Sequence, residues 1–353
     1  VRGKLVLELN YAGNKGTHLA TNRLNYMQVN PQYAYLGSLL NRPIDDANVV
    51  KAGFSAPFPS FKTLMGSRAT LAQALKMFPQ YSGVSITDMA DLTGNSTYHA
   101  LMVRATKRYS NGLSLLFSYV WSKMLTDADA STPGNANNYA AGIGAGPAQD
   151  SYNRATEKSY SVLDLPHVLK ATFSYDLPLG KGRGWARQGV PAAILGGWTL
   201  SGYTVAQSGY PLGVLDSGYN NNLSGGPARP NVITYNLRAP IGGDKFDPDR
   251  DLVLNAGALS RRTNPAVEPF GNAPRFFGSA RWGGRFRENI TLRRRFRLRG
   301  ERLTMNVRWE IYDLFNNKTW ANPASLDLAN TQFGKVTNAS GNRTMQLGAR
   351  LQW

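Results

Sequence analysis

The chain ends Met345-Gln346-Leu347-Gly348-Ala349-Arg350-Leu351-Gln352-Trp353, and every second residue of this stretch is apolar: Met345, Leu347, Ala349, Leu351 and Trp353. Successive side chains of a β-strand point to opposite faces, so the stretch reads as a strand with one apolar and one polar side. A single strand of this kind fits a soluble sandwich as well as a wall between lipid and water. Repetition along the chain separates the two.

Upstream, Leu303, Met305, Val307, Trp309 and Ile311 alternate with Thr304, Asn306, Arg308, Glu310 and Tyr312, after a turn at Arg299-Gly300-Glu301. The partner before that turn carries Ile290, Leu292, Phe296 and Leu298 on one side and Arg293, Arg295 and Arg297 on the other, with Arg294 interrupting the apolar side. A long cationic side chain on a lipid-facing surface is tolerated near an interface, so Arg294 is expected low in the wall. Leu169 to Leu177 and Leu113 to Trp121 repeat the pattern. The latter pairs with roughly Tyr98 to Arg108 through Ser110-Asn111-Gly112, because Asn-Gly favours a tight hairpin turn. Ile194 to Gln207 is expected as the return strand after 168–177. At the start, Leu5, Leu7, Leu9 and Tyr11 alternate with Lys4, Val6, Glu8 and Asn10, and Gly13-Asn14-Lys15-Gly16 reads as a turn into a weaker strand near Thr17 to Leu24.

These segments amount to about nine strands of the length that crosses a bilayer at a tilt. The connections alternate between short (near 13–16, 109–112, 178–193 and 299–301) and long (25–96, 125–165, 209–286 and 315–342), an asymmetry of outer-membrane barrels. With Trp353 at the periplasmic side, every short turn falls there too. Composition agrees. The 353 residues hold 36 Gly, 11% aromatics and no Cys, with a mean hydropathy of −0.35 and no long apolar run. Barrel strands average lipid-facing with water-facing residues, so modest hydropathy is compatible with a membrane. Absence of Cys excludes thiolate chemistry and disulfide frameworks. The reading is therefore all-β: an antiparallel transmembrane barrel segment with long extracellular loops, occupying 1–353 as one C-terminal unit. An odd strand count would leave open edges in lipid, and the chain starts Val1-Arg2-Gly3 without an initiator Met, so further strands and an N-terminal part are expected elsewhere.

Several stretches, in order along nearly the whole chain, carry a family resemblance. They include Leu9-Asn10-Tyr11-Ala12-Gly13-Asn14-Lys15-Gly16-Thr17-His18-Leu19, Phe78-Pro79-Gln80-Tyr81-Ser82-Gly83, Phe117-Ser118-Tyr119-Val120-Trp121-Ser122-Lys123, Gly196-Gly197-Trp198, Gln207-Ser208-Gly209-Tyr210-Pro211-Leu212 and Glu310-Ile311-Tyr312-Asp313-Leu314-Phe315-Asn316. The chain resembles the C-terminal barrel of TonB-dependent receptors of the Oar-like group. That resemblance implies a barrel of roughly 22 strands, a plug before it and energy delivered by TonB through the plug.

The 40 Lys and Arg against 22 Asp and Glu give a net charge of +18 and a pI near 10.1, which raises nucleic acid as a partner. Placement argues otherwise. Arg104, Arg108, Lys170, Arg293, Arg295, Arg297, Arg308 and Arg350 fall on the side opposite the apolar one, hence in a barrel lumen, and the aromatics share the apolar side. A nucleic-acid module interleaves the two on one exposed patch. The lumen cations either bias the path toward anionic solutes or pair with an acidic plug; the alternative is a solvated wall with little selectivity. Tyr11, Tyr119, Trp121, Tyr175, Trp198 and Trp353 are expected near strand ends as an interfacial girdle.

Asp247-Pro248-Asp249-Arg250-Asp251 has calcium-loop spacing, but Leu252 stands where Gly is required and Ala258 where Glu is. Gly180-x-Gly182-x-Gly184 lacks the residues of a phosphate loop and reads as a flexible turn. His18, His99 and His167 are too far apart for metal-ligand spacing, and no catalytic constellation is found, so neither enzyme activity nor a cofactor is expected. The expected function is a transport wall for a large solute. The alternatives are a passive porin or a surface adhesion barrel, and a soluble nucleic-acid binder. Expected partners are outer-membrane lipid and lipopolysaccharide.

Overall fold

The computed structural model describes residues 4–21, 25–82, 86, 92–128, 148–223, 228–300 and 302–353. Eight long strands form one antiparallel sheet: β1 (Leu5–Leu19), β2 (Gly94–Ser110), β3 (Leu113–Thr126), β4 (His167–Asp176), β5 (Trp198–Gln207), β6 (Arg285–Arg299), β7 (Leu303–Tyr312) and β8 (Thr344–Gln352). Each pairs with its sequence neighbours, in the order β1 to β8, and a two-residue strand, Ser159–Tyr160, adds to the end of β3. Nearest-neighbour pairing is what hairpins dictate, and it gives a continuous meander with β1 and β8 at its edges.

The sheet has nine strands, as read from the sequence, but with a different ninth member. Gly13-Asn14-Lys15-Gly16 is no turn. These residues continue β1, paired in register with Ser96 to His99 of β2. The return strand expected near Thr17 to Leu24 is absent as far as Thr21, and residues 22–24 lie outside the described residues. The eight long strands are even in number, so the open edges are a matter of pairing and not of an odd count. The short connections now run 111–112, 177–197 and 300–302, and the long ones 20–93, 127–166, 208–284 and 313–343, each set at one end of the sheet. Asn111 and Gly112 both have positive φ, at 53° and 80°, as a two-residue hairpin turn requires. At the other tight turn Gly300 has φ 55°, and Glu301 lies outside the described residues.

Register fixes the two faces. Leu9, Val103, Tyr119, Leu169, Ala206 and Phe286 follow one another across β1 to β6 on one side. Tyr175, Leu200, Leu292, Trp309 and Leu347 do so across β4 to β8 on the same side. This face is not covered by protein: Leu9 is 64% and Leu347 78% exposed. Gly202 makes room on it for the Phe173 ring, which lies where a Cβ would stand. Among the described residues, Ala100 is the only buried apolar residue of the long strands; the other buried apolar residues lie in the long connections. A soluble sheet would bury its apolar face, whereas here the protein cores lie beyond the sheet, in the loops.

Those loops are compact. One cluster gathers Leu212, Leu237, Leu254, Phe276, Phe277 and Phe333 from the β5–β6 and β7–β8 connections, with Val162 of the β3–β4 connection. A second packs Val29, Leu40, Val49, Phe61 and Leu71 of the first connection against Leu223. Leu223, within the polar stretch 219–227, is thus anchored in a core; residues 224–227 lie outside the described residues. The β4–β5 connection also departs from expectation: Ile194 and Leu195 end a short helix, Gly189–Leu195, and the strand begins only at Trp198.

Candidate functional site

The candidate site is the polar face of the sheet together with the loop canopy at its end. Along the face, rows of register run across the strands. Glu8, Arg104, Ser118, Lys170, Val205 and Arg287 form one row, with Arg104 Nη1 3.7 Å from the Glu8 carboxylate. Nearer the short turns, Asp176, Thr199, Arg293, Arg308 and Gly348 form another, and Arg295, Asn306 and Arg350 a third. Arg293, Arg295, Arg297, Arg308 and Arg350 are therefore brought together on β6 to β8. Arg104 and Lys170 lie apart, on β2 and β4. Arg108 shares parity with Arg104, but the register shifts between Lys107 and Ser110, so its place in the rows is not continuous.

Like charges directly opposite one another in a sheet repel, by about 0.2–1 kcal/mol. Arg293 opposite Arg308 is such a pair, and the acid nearest Arg308 is Glu310, with Arg308 Nε 3.8 Å from its carboxylate. Glu310 also accepts a hydrogen bond from Gln346 Nε2. The patch therefore keeps unbalanced positive charge, which concentrates anions in a confined aqueous space. Two more cations of this face, Arg285 and Arg287, escape a reading of the sequence that starts the strand at Ile290, because Glu288 breaks the apolar alternation. Glu288 is covered by the turn after β7, where Asn317 donates to its carboxylate at 3.4 Å. The signal that could have revealed them is the alternation of Arg285 and Arg287 with Phe286.

The aromatic candidates fall at changes of polarity and not uniformly at strand ends. Tyr11, Tyr119 and Trp121 are interior to β1 and β3. Beyond them the same face continues with Gly13 and Lys15 on β1 and Lys123 on β3. Tyr11 and Tyr119 each stack on a histidine one strand over: Tyr11 Oη is 2.6 Å from His99 Nδ1 and Tyr119 Oη 2.8 Å from His167 Nδ1. Tyr175 is next to last in β4, Trp198 opens β5 and Trp353 follows β8.

The canopy is held by buried ion pairs between connections distant in sequence. Arg229 Nη2 meets the Glu157 carboxylate at 2.8 Å, both fully enclosed, and Gln149 bonds to Glu157 through its amide nitrogen and to Arg229 through its side chain. Arg281 pairs with Asp164 at 2.5 Å, and the Met124 amide at the top of β3 donates to the same carboxylate. Gln28 donates to Asp150 at 2.8 Å. A cleft of about 970 Å³ opens between the segments Gly243 to Arg250 and Phe315 to Trp320. On one side Phe246 packs edge-on against Trp282 and Trp320 at 5.3 and 5.5 Å, and Lys318 Nζ stands 5.6 Å over the Trp320 ring.

The acidic run resolves into a turn. Asp251 accepts from the Arg250 guanidinium and from the Gly242 and Asp247 amides at 2.9 Å, and Arg250 foremost holds its carboxyl well below the usual carboxylate range. Among the described residues no group of three or more His, Cys, Asp or Glu is placed to hold a metal ion. Gly180 is less free than a flexible turn implies: it has φ 100°, and a Cβ on it would stand 2.5 Å from Gly196 Cα.

The family model described as "Outer membrane beta barrel domain" matches residues 1–346. No curated protein matches the chain.

Proposed function

The chain belongs to the outer membrane beta barrel domain family, and on that premise we propose that it is the wall and loop canopy of a TonB-dependent receptor of the Oar-like group, passing a large anionic solute. It is an outer-membrane β-barrel protein; the finer reading rests on the resemblance together with the cationic face of β6 to β8, where Arg293, Arg295, Arg297, Arg308 and Arg350 converge. Those arginines line the lumen, with Arg104, Arg108 and Lys170 further along the same face. The short turns and the C-terminus lie in the periplasm, the canopy faces outward, and TonB acts through a plug. The apolar face meets lipid and lipopolysaccharide, with the aromatics at its two limits. Nucleic acid, catalysis and cofactors have no part in this function. Uptake by cells with and without TonB tests it: uptake lost without TonB supports the reading, and uptake unchanged overturns it.

The cleft beside Trp320 favours a second reading, a passive porin or an adhesion barrel that works through its loops. Conductance or cell binding that persists without TonB, and that falls when Trp320 is replaced by Ala, would support it.

A further inference from the structure

The β4–β5 connection, 177–197, is the longest of the three at the short-turn end and the one that folds into a helix. Gly189-Val190-Pro191-Ala192-Ala193-Ile194-Leu195 contains no polar side chain, and none of its residues is buried. Val190 is 69% and Ile194 60% exposed, one helical turn apart, and Trp185 ahead of them is 73% exposed. A helix this short does not hold in water on propensity alone. Its C-terminal end is fixed to the sheet instead: Arg294 Nη1 and Nη2 donate to the Ile194 and Ala193 carbonyls at 2.5 and 2.6 Å, and Trp198 Nε1 donates to Ile194 O at 3.1 Å. The Arg294 guanidinium lies 4.2 Å from the Phe296 ring centroid and 5.9 Å from that of Trp198. The helix is thereby continuous with the apolar face of the sheet, at its lower limit. The connection also carries Lys181, Arg183 and Arg187 and no acidic residue.

We propose that this connection is a membrane foot: Trp185, Val190 and Ile194 lie in the headgroup region of the leaflet at the short-turn end, and Lys181 and Arg187 bind anionic phospholipid headgroups there. The proposal rests on the lipid-facing reading of the sheet. An apolar helix held at the edge of a lipid-facing wall has the lipid surface as its neighbour, and basic residues beside it match anionic headgroups. Arg183 is engaged with Asp176 at 3.8 Å and is not needed for headgroup contact.

Quenching by brominated lipids tests the foot with single substitutions in the full chain reconstituted in vesicles. With bromine near the glycerol of phosphatidylglycerol, the emission that Trp185→Phe removes is expected to be quenched. It is expected to be less quenched in brominated phosphatidylcholine, and in phosphatidylglycerol when Lys181 and Arg187 are both replaced by Glu. The emission that Trp309→Phe removes reports the sheet independently. Quenching of the Trp309 share without the Trp185 share overturns the foot, leaves the barrel reading standing and turns the apolar helix into a protein-docking surface. Quenching of neither overturns both. A Trp185 share quenched alike in both lipids overturns the assignment to anionic headgroups.

Discussion

At the residue scale, Arg294 shows how an apparent fault in a pattern becomes a joint. The sequence marks it as a cation on an apolar face, and lipid exposure made a low position the physical expectation. Its partners were not legible, since the Ala193 and Ile194 carbonyls become acceptors only because 189–195 is helical. Replacing Arg294 with Leu leaves the Ala193 carbonyl to water or lipid and the Ile194 carbonyl to Trp198 Nε1 alone, and is expected to cost about 1–3 kcal/mol, read as a lowered midpoint of equilibrium unfolding in detergent. Asp251 makes a pH prediction. Its carboxyl titrates below the ordinary value of about 4, so the stability it gives the 242–251 turn is full above about pH 5, declines below that and is lost as pH falls through the depressed value. Protection of the Gly242 and Asp247 amides, taken relative to the unprotected exchange rate at each pH, is expected to fall over that interval in the native chain, and to be low at every pH in Asp251→Asn.

At the element scale, strands with strict alternation were legible because period two is local. Their ends were not. Gly13-Asn14-Lys15-Gly16 has the composition of a hairpin turn, yet pairing with Ser96 to His99, far along the chain, keeps it extended. The apolar run Pro191 to Leu195 reads equally well as strand or helix; it is helix as far as Leu195, and the chain turns into β5 through Gly196-Gly197, with Gly197 at φ 74°. At Gly180 a Cβ would meet Gly196, so Gly180→Ala is expected to destabilise the β4–β5 connection by about 1 kcal/mol or more and to expose the Leu179–Trp185 segment to protease first. The basic strands carry the functional prediction. Replacing Arg293, Arg308 and Arg350 together with Gln is expected to shift the reversal potential of bilayer currents away from anion preference. Thermal stability should not fall, because the opposed pair Arg293 and Arg308 is relieved in the same variant.

At the scale of the whole molecule, the division of labour is a sheet without a protein core and a canopy with two. The sheet was legible from alternation and from the alternation of connection lengths. The canopy was not, because its ties join residues with no common local pattern: Glu157 with Arg229, Asp164 with Arg281, Gln28 with Asp150. Glu157→Gln leaves the buried Arg229 without its counter-charge, at a cost of about 3–5 kcal/mol. Limited proteolysis is expected to cut the connections in that variant while the strands remain protected.

If one face of this sheet meets lipid and the other water, the two environments must alternate residue by residue along each strand. The chain has no cysteine, so single cysteines at Met345, Gln346, Leu347, Ala349, Arg350 and Leu351 can each carry a spin label in a reconstituted bilayer. Labels at 345, 347, 349 and 351 are expected to be relaxed by oxygen dissolved in the lipid, and those at 346 and 350 by a water-soluble nickel chelate. Accessibility without a period of two along this strand, or exposure to the nickel chelate at all six positions, would contradict that division of the faces.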